Sequence, residues 1–379
     1  MRILIIVDRF PSLSETFIFR KVIALASAGH SVIVMSRRPG DWSFYTNYQL
    51  PPNLVVINAF PEEKLWDLRN ALRLLIGTIH SFLRSPLYCF RLLVLVASHA
   101  NRRNSARRQV IHYLPFSGVR ADLIHYEFLG LGSSYELLPE LLDCPFIVSC
   151  RGSEITLFEQ HQRQVQENIR CILRKATVIH CISEYLVKQA IEISGRTEGY
   201  ALNHPGVNLE EIPPKQTYEV SGYPLILSVG RLVWIKGFDY LIHALECLKE
   251  SGIAFRAQII GDGPEAEHLA FLINQTGLAP CVELLGAKPP NEVLRYYSNA
   301  DLFVLSSHAE GFCNSVVEAQ AAGLPCIVTS GGALSENVEH GISGFVVPPR
   351  DVDSLCQAIK TLLDNPKLRE KMGRAARAR

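Results

Sequence analysis

The chain has 379 residues, 48% of them hydrophobic, with 38 Lys and Arg balanced against 37 Asp and Glu. That length exceeds one ordinary α/β domain and supplies enough apolar surface for two cores. A net charge of +1 gives no global signal for nucleic acid, and no uncharged apolar run reaches the roughly 18 residues of a membrane-spanning helix.

Residues 3–7 have the length and apolarity of a buried strand and lack the cleavage site of a secretory signal. Ser12 and Glu15 are spaced as a helix capping box ahead of a helix at 15–28, and the Glu15 carboxylate is equally suited to meet a ligand directly. A second strand is expected at 31–35. An insertion at about 65–121 follows, and its residues 68–121 hold nine arginines (Arg69, Arg73, Arg84, Arg91, Arg102, Arg103, Arg107, Arg108 and Arg120) and no Asp, Glu or Lys. Apolar segments run between those arginines, so the stretch reads either as a basic amphipathic surface for anionic lipid or as solvated helices packed on the first domain. Further strands are expected at 122–125, 146–149 and 177–181, with a helix at 183–193. His180, inside an apolar strand, reads as a hydrogen-bonded core residue.

Residues 203–208 and the Pro213-Pro214 pair mark an interdomain connection, dividing the chain into domains 1–208 and 209–379. The second half continues with strands at 225–229, 257–260, 282–285, 302–305, 326–328 and 345–347. Strands alternating with helices at these spacings predict an α/β fold with one parallel sheet per domain, helices covering both faces. Ten cysteines are scattered without a C-x-x-C pair, several of them in apolar elements, such as Cys181, Cys247 and Cys326. They read as reduced thiols of a cytoplasmic protein, with no metal site.

Glu310-Gly311-Phe312-Cys313-Asn314-Ser315-Val316-Val317-Glu318 places two carboxylates eight positions apart between two buried strands. Glu310 is expected in a strand-to-helix loop at the carboxyl edge of the sheet, where open α/β sheets bind ligands, and Glu318 in the first turns of the following helix. Backbone N–H groups at 314–316 would be helix-start donors without intrahelical partners, suited to a phosphate. Carboxylates flanking an anion site suit hydroxyl recognition, as a sugar nucleotide demands. Earlier, an apolar strand ends at Gly230, and Arg231 and Lys236 follow before a helix beginning near Phe238. Gly230 permits close backbone approach, Arg231 can fork onto a diphosphate, and Lys236 adds a point charge.

These motifs, together with Ile260-Gly261-Asp262-Gly263-Pro264-Glu265 and Gly341-Ile342-Ser343-Gly344-Phe345-Val346-Val347, resemble those of the retaining glycosyltransferases of family 4. The likeness covers nearly all of residues 222–350. Near the start, Phe10-Pro11-Ser12-Leu13-Ser14-Glu15-Thr16-Phe17-Ile18 is similar to a branch that builds bacterial exopolysaccharide of the colanic-acid type. The resemblance implies a GT-B fold, two Rossmann-like parallel-sheet domains facing across a cleft. The first domain would serve the acceptor and the second the nucleotide sugar. It further implies metal-free, configuration-retaining transfer of a hexose from a UDP- or GDP-sugar to a saccharide or lipid-linked oligosaccharide, without a cofactor. Glu310, Arg231 and Lys236 would carry catalysis and Glu318 would hold the ribose. Gly230, Phe312, Cys313, Asn314 and Ser315 would meet sugar and phosphate, and Leu285 would line the base pocket. Asp262-Gly263-Pro264 is either part of that site or simply a turn. In the resembling branch the acceptor is lipid-linked, which fits a protein peripheral at the inner membrane face.

Two departures stand out. Where many relatives have His-Gly-x-Asp, this chain has Arg151-Gly152-Ser153-Glu154. Arginine cannot act as a base at neutral pH, so Arg151 and Glu154 either contact substrate or pair with each other. Relatives usually continue beyond the equivalent of Met372–Arg379 with a helix returning to the first domain, so a shortened end or a looser hinge is expected here. Other classes compete with an active enzyme. A catalytically silent sugar-nucleotide-binding subunit would keep the anion site. An epimerase of the same fold would not explain the spacing of the two glutamates, and a dehydrogenase lacks its Gly-x-Gly-x-x-Gly after the first strand.

Overall fold

The structure, a computed structural model, describes residues 1–12, 15–45, 48–58, 83–99, 106–220 and 222–379. They fall into two compact units. The first comprises Met1–Cys150, Glu159–His180 and Ala190–Ala201. The second comprises Arg151–Phe158, Cys181–Gln189 and Leu202–Arg379.

A seven-stranded sheet organises the amino-terminal part. Its strands are β1 (Arg2–Phe10), β2 (Ser31–Pro39), β3 (Leu54–Asn58), β4 (Leu123–Tyr126), β5 (Phe146–Cys150), β6 (Val178–Cys181) and β7 (Tyr200–Leu202). They lie in the order β3-β2-β1-β4-β5-β6-β7, and β1 pairs in parallel with both β2 and β4. β1 is central, and Leu4, Ile5, Ile6 and Val7 are fully buried. A strand covered on both faces has no polar side, which is why it reads as an unbroken apolar run. The edge strands β3 and β7 are short and partly exposed.

Two local expectations in this unit meet the structure. The helix Thr16–Ser27 begins one residue after Glu15, which occupies the cap position and makes no side-chain cap bond. The capping box is therefore not formed as the spacing suggested, because that motif needs its glutamate inside the first turn. Ser12 instead gives its carbonyl to the Glu15 N–H at 3.2 Å. His180 is hydrogen-bonded, its Nδ1 lying 2.9 Å from Ser149 Oγ, which also meets His125 Nε2 at 2.8 Å. Of the basic insertion, Arg69, Arg73, Arg102 and Arg103 lie outside the described residues, as do the side chains of Arg107 and Arg108. Helices Pro86–His99 and Ala106–Tyr113 are described.

The second sheet contains β8 (Leu225–Val229), β9 (Arg256–Ile260), β10 (Val282–Gly286), β11 (Leu302–Leu305), β12 (Cys326–Thr329) and β13 (Gly344–Val347). Its order is β10-β9-β8-β11-β12-β13, all pairs parallel. Alternate side chains of each strand serve opposite layers. Ile226, Ile259, Val304 and Ile327 pack against helices Phe238–Glu250 and Val352–Leu363. Leu227, Phe303, Leu305 and Val328 pack against Pro290–Asn299 and Asn314–Ala321. The ten cysteines are free thiols, and Cys326 and Cys181 are buried core residues. The last helix, Pro366–Ala378, buries Met372 and Ala376 in the second unit, and Arg377 gives an N–H to the Ile212 carbonyl at 3.0 Å.

Strand order reverses between β8 and β11, the position at which open parallel sheets bind ligands. The Gly261-Asp262-Gly263 turn packs on the loop that leaves β8. Leu232 N–H donates to the Asp262 carbonyl at 2.9 Å and Glu265 N–H to the Leu232 carbonyl at 3.0 Å. Gly261 has φ +153°, and a Cβ there would overlap the Gly230 carbonyl oxygen. Gly261→Ala is expected to force the β8 and β9 loops apart and cost about 2 kcal/mol or more. Urea unfolding measures this, and an unchanged midpoint would mean that the two loops are not held in contact.

Candidate active site

The loop after β8 is built to hold a lysine in place. Beyond Gly230, Trp234–Lys236 form a single 3₁₀ turn, and Gly237 follows at φ +59°, a left-handed conformation that favours glycine. A Cβ at 237 would also run into the Ser306 carbonyl. Two bonds lock this turn to the loop after β11: Ser306 Oγ donates to the Gly237 carbonyl at 2.7 Å, and His308 N–H to the Ile235 carbonyl at 2.8 Å.

Across that seam, Lys236 Nζ meets Glu310 Oε1 at 2.5 Å, with side chains only 13% and 14% exposed. Ser307 Oγ donates to the same carboxylate oxygen at 2.8 Å. Glu310 is fixed by its backbone as well, since its N–H reaches the Gly331 carbonyl at 3.2 Å and its carbonyl accepts from Ala333 N–H at 2.8 Å. Burial opposes the Lys236 charge, yet the Glu310 carboxylate leaves its pKa raised above the ordinary lysine value. Lys236 is thus a fixed cation throughout the neutral range. Arg231 is exposed, and close enough to Lys236 for their charges to oppose each other.

The helix Asn314–Ala321 starts directly after this loop, with Cys313 as its cap residue and no side-chain cap bond. Asn314 and Ser315 therefore contribute first-turn N–H groups, as the spacing predicts. The Cys313 thiol is buried 3.2 Å from Ser315 Oγ, and burial pushes its pKa up, so it remains a neutral packing group. Cys313 N–H is held by Asn337 Oδ1 at 3.2 Å. The Phe312 ring stacks on His204 with centroids 5.2 Å apart.

Glu318 does not join the Lys236–Glu310 pair. Its Oε2 accepts the Tyr297 hydroxyl at 3.0 Å. Burial, reinforced by Glu318, drives the Tyr297 pKa well above its usual value, so the phenol remains a donor and aims the carboxylate. Tyr297 and Asn337 are missed by sequence reasoning, for they reach the motif from other elements and no local spacing announces them; Ser307, missed as well, sits three residues before Glu310 in the same loop. Leu285 is the penultimate residue of β10 and packs with Val229 against the apolar cluster that includes Cys313. Arg151 and Gly152 belong to the second unit despite following β5. The Arg151 carbonyl lies so close to Gly311 that a Cβ there would overlap it. Glu154 sits in the first turn of Ser153–Thr156. Glu15 lies in the first unit, ahead of its own helix. Among the described residues no three His, Cys, Asp or Glu side chains form a metal-binding group.

The ion pair makes a testable unit. Lys236→Met and Glu310→Gln are expected to couple by about 1–3 kcal/mol in a double-mutant cycle of stability. Because the folded pKa of Lys236 is raised, its contribution is complete below the unfolded value of about 10.4 and is lost only as pH rises through the higher folded value. Lys236→Met should therefore change the alkaline limb of a stability–pH profile and leave the neutral region parallel to wild type. An unaltered alkaline limb would detach the lysine from Glu310.

The chain is similar to known proteins along most of its length. Residues 210–379 match the family described as glycosyl transferases group 1. WcaL of Escherichia coli strain K12, named for colanic acid biosynthesis, is 28% identical over 97% of this chain and 92% of its own length. The amylovoran biosynthesis glycosyltransferase AmsK of Erwinia amylovora is 25% identical, over 96% and 90%. Among solved structures, Anabaena HepE in complex with UDP and glucose superposes with a TM-score of 0.74 at 18% identity, covering all of this chain and 94% of that one. The chain has the GT-B fold, and its residues 210–379 are a glycosyl transferases group 1 domain.

Proposed function

We propose that this protein is a metal-independent, retaining glycosyltransferase. It moves a hexose from a UDP- or GDP-sugar to a saccharide or lipid-linked oligosaccharide in bacterial polysaccharide biosynthesis. The observation that carries the reading is the Lys236–Glu310 pair, shielded from water at the topological switch point of a parallel sheet. Shielding strengthens any charge presented there to a ligand. The departing nucleoside diphosphate needs positive charge, which Lys236, Arg231 and the first-turn amides at 314–316 supply together. Glu310 then orients the sugar or stabilises positive charge developing on it. The acceptor hydroxyl attacks from the face that the phosphate leaves, and the phosphate oxygen takes its proton. Glu318, aimed by Tyr297, would hold the ribose hydroxyls. The relatives named for colanic acid and amylovoran biosynthesis support the polysaccharide assignment, and the HepE complex with UDP and glucose supports a nucleotide-sugar donor.

Donor use is read out by thermal stabilisation with a panel of sugar nucleotides. The right one, at about a hundred times its Kd, should add roughly 2.7 kcal/mol. Glu318→Gln should mainly weaken donor binding, by about 1–3 kcal/mol, whereas Glu310→Gln should reduce turnover more than affinity. Full turnover in both variants would remove the active-site assignment. Turnover lost in EDTA and restored by magnesium or manganese would overturn the metal-free mechanism.

The proposed setting is a membrane surface. Among the described residues no helix is long and apolar enough to cross a membrane. Helix Pro86–His99 buries Cys89, Leu92 and Val96, but leaves Leu87 67%, Phe90 65% and Val94 50% exposed along its other side, next to Arg91. Each arginine held near anionic lipid adds about 1 kcal/mol. The full chain should co-sediment with anionic vesicles, release steeply with salt, and bind less when Arg102, Arg103, Arg107 and Arg108 become Gln. Equal binding to neutral vesicles would rule this out.

A further inference from the structure

A second concavity in the carboxyl-terminal unit takes no part in the chemistry above. It is lined by Val233, Trp234, Phe238, Asp239, Tyr240, Glu265, His268, Leu269, His308 and Arg350, and has a volume of about 170 Å³. Those residues come from the loops and helix starts after β8, β9, β11 and β13. The Lys236 side chain is not among them; it reaches Glu310 instead. Two observations suggest that the hollow holds something. Arg350 is held at φ +63° although it has a side chain, and such backbone outliers concentrate at ligand sites. The Trp234 ring is 51% exposed at the rim, with its centroid 6.1 Å from that of His308.

The lining selects the class of occupant. The rings of Trp234, Phe238 and Tyr240 offer apolar faces, while Asp239, Glu265, His268, His308 and Arg350 offer hydrogen-bonding groups around them. Burial, with Arg350 nearby, lowers the His308 pKa, so its imidazole is neutral at pH 7 and able both to accept and to donate. Two carboxylates against one guanidinium leave no net positive charge to attract a phosphate or another anion. What fits is a neutral ring with C–H faces and a girdle of hydroxyls. The volume suits a single six-membered ring, since a cavity of about 150 Å³ accommodates benzene, and it falls below the roughly 300 Å³ at which pockets for larger ligands begin.

We infer that this hollow is a saccharide-binding subsite that takes one uncharged pyranose unit, separate from the nucleotide-sugar site. It would grip a sugar residue of a longer glycan by stacking on Trp234 or Tyr240. Hydroxyls would be donated to Asp239 and Glu265 and accepted from Arg350 and His268. The turn carrying Trp234 also carries Lys236, so an occupied subsite and the donor site share one rigid segment.

Saturation-transfer NMR on the full chain tests the subsite with methyl α-glucoside, methyl α-galactoside and methyl β-N-acetylglucosaminide, each in the presence of saturating UDP or GDP. At least one glycoside should receive saturation with the nucleotide bound. Arg350→Ala and His268→Ala should each weaken it by about tenfold, the loss of one hydrogen bond, and leave nucleotide affinity unchanged. Transfer to none of the glycosides would overturn the inference. So would transfer abolished by the nucleotide, transfer insensitive to both substitutions, or displacement of the glycoside by inorganic phosphate. Nucleotide affinity is measured alongside, so a failure of the donor-site reading is distinguishable from a failure of the subsite.

Discussion

Two ion pairs sit at opposite ends of the same strands, and the contrast between them explains how the second unit works. At the amino ends of β8 and β11, Lys215 and Asp301 meet at 3.2 Å. Structure uses up that pair: Asp301 also accepts the Leu225 N–H at 2.8 Å, and Lys215 donates to the Ala300 carbonyl at 2.6 Å. At the carboxyl ends, Lys236 and Glu310 have only Ser307 as a further side-chain partner among the described residues. Withdrawing two charges from water is costly, and such a pair seldom improves on apolar packing. In the function proposed above, a pair that is shielded yet keeps unused hydrogen-bonding capacity is a prepared surface for a charged ligand. The surrounding architecture serves it, from the left-handed Gly237 to the bonds tying Ser306 and His308 to the neighbouring loop.

The charge arrangement around this pair has an internal logic. Lys236 must remain cationic in a place that disfavours charge, and Glu310 makes that possible. Cys313 lies close by, but burial keeps its thiol neutral, so it adds no competing negative charge. The second glutamate is kept apart on its helix by a buried phenol. Two carboxylates from one short motif thereby acquire different surroundings, one joined to a cation and one accepting a buried phenol.

Much of this was legible from the order of residues. The central strands β1, β8 and β11 announce themselves because both of their faces are buried, and the turn residues Gly230 and Gly237 mark where those strands give way to the site. The edge strands β3 and β7 escape notice because they are short, five and three residues, and partly exposed, so little distinguishes them from connecting loops. Ser12 and Glu15 have the spacing of a cap, but the helix starts too late to use it. Tyr297, Asn337 and the ring-lined hollow were out of reach for another reason. Their partners are brought together by the strand order, and a partner some twenty positions away leaves no trace in local periodicity. Sequence spacing reports what one element does; the strand order decides which elements meet.

The chain passes from one compact unit to the other after Cys150, Phe158, His180, Gln189 and Ala201. A ribosome delivers residues in order, and domains tend to fold as they emerge. The first unit cannot be completed until Ala201 has appeared, and two short pieces of the second, Arg151–Phe158 and Cys181–Gln189, are made before any strand of the second sheet. One of them supplies the backbone N–H groups of Glu184 and Tyr185, which the Glu336 carboxylate later accepts at 2.8 Å and 2.7 Å. The two units are thus interleaved in time as well as in sequence. No single cut in the polypeptide releases the carboxyl-terminal unit whole, and a fragment beginning at residue 209 would be born without segments that its own loops are shaped to receive.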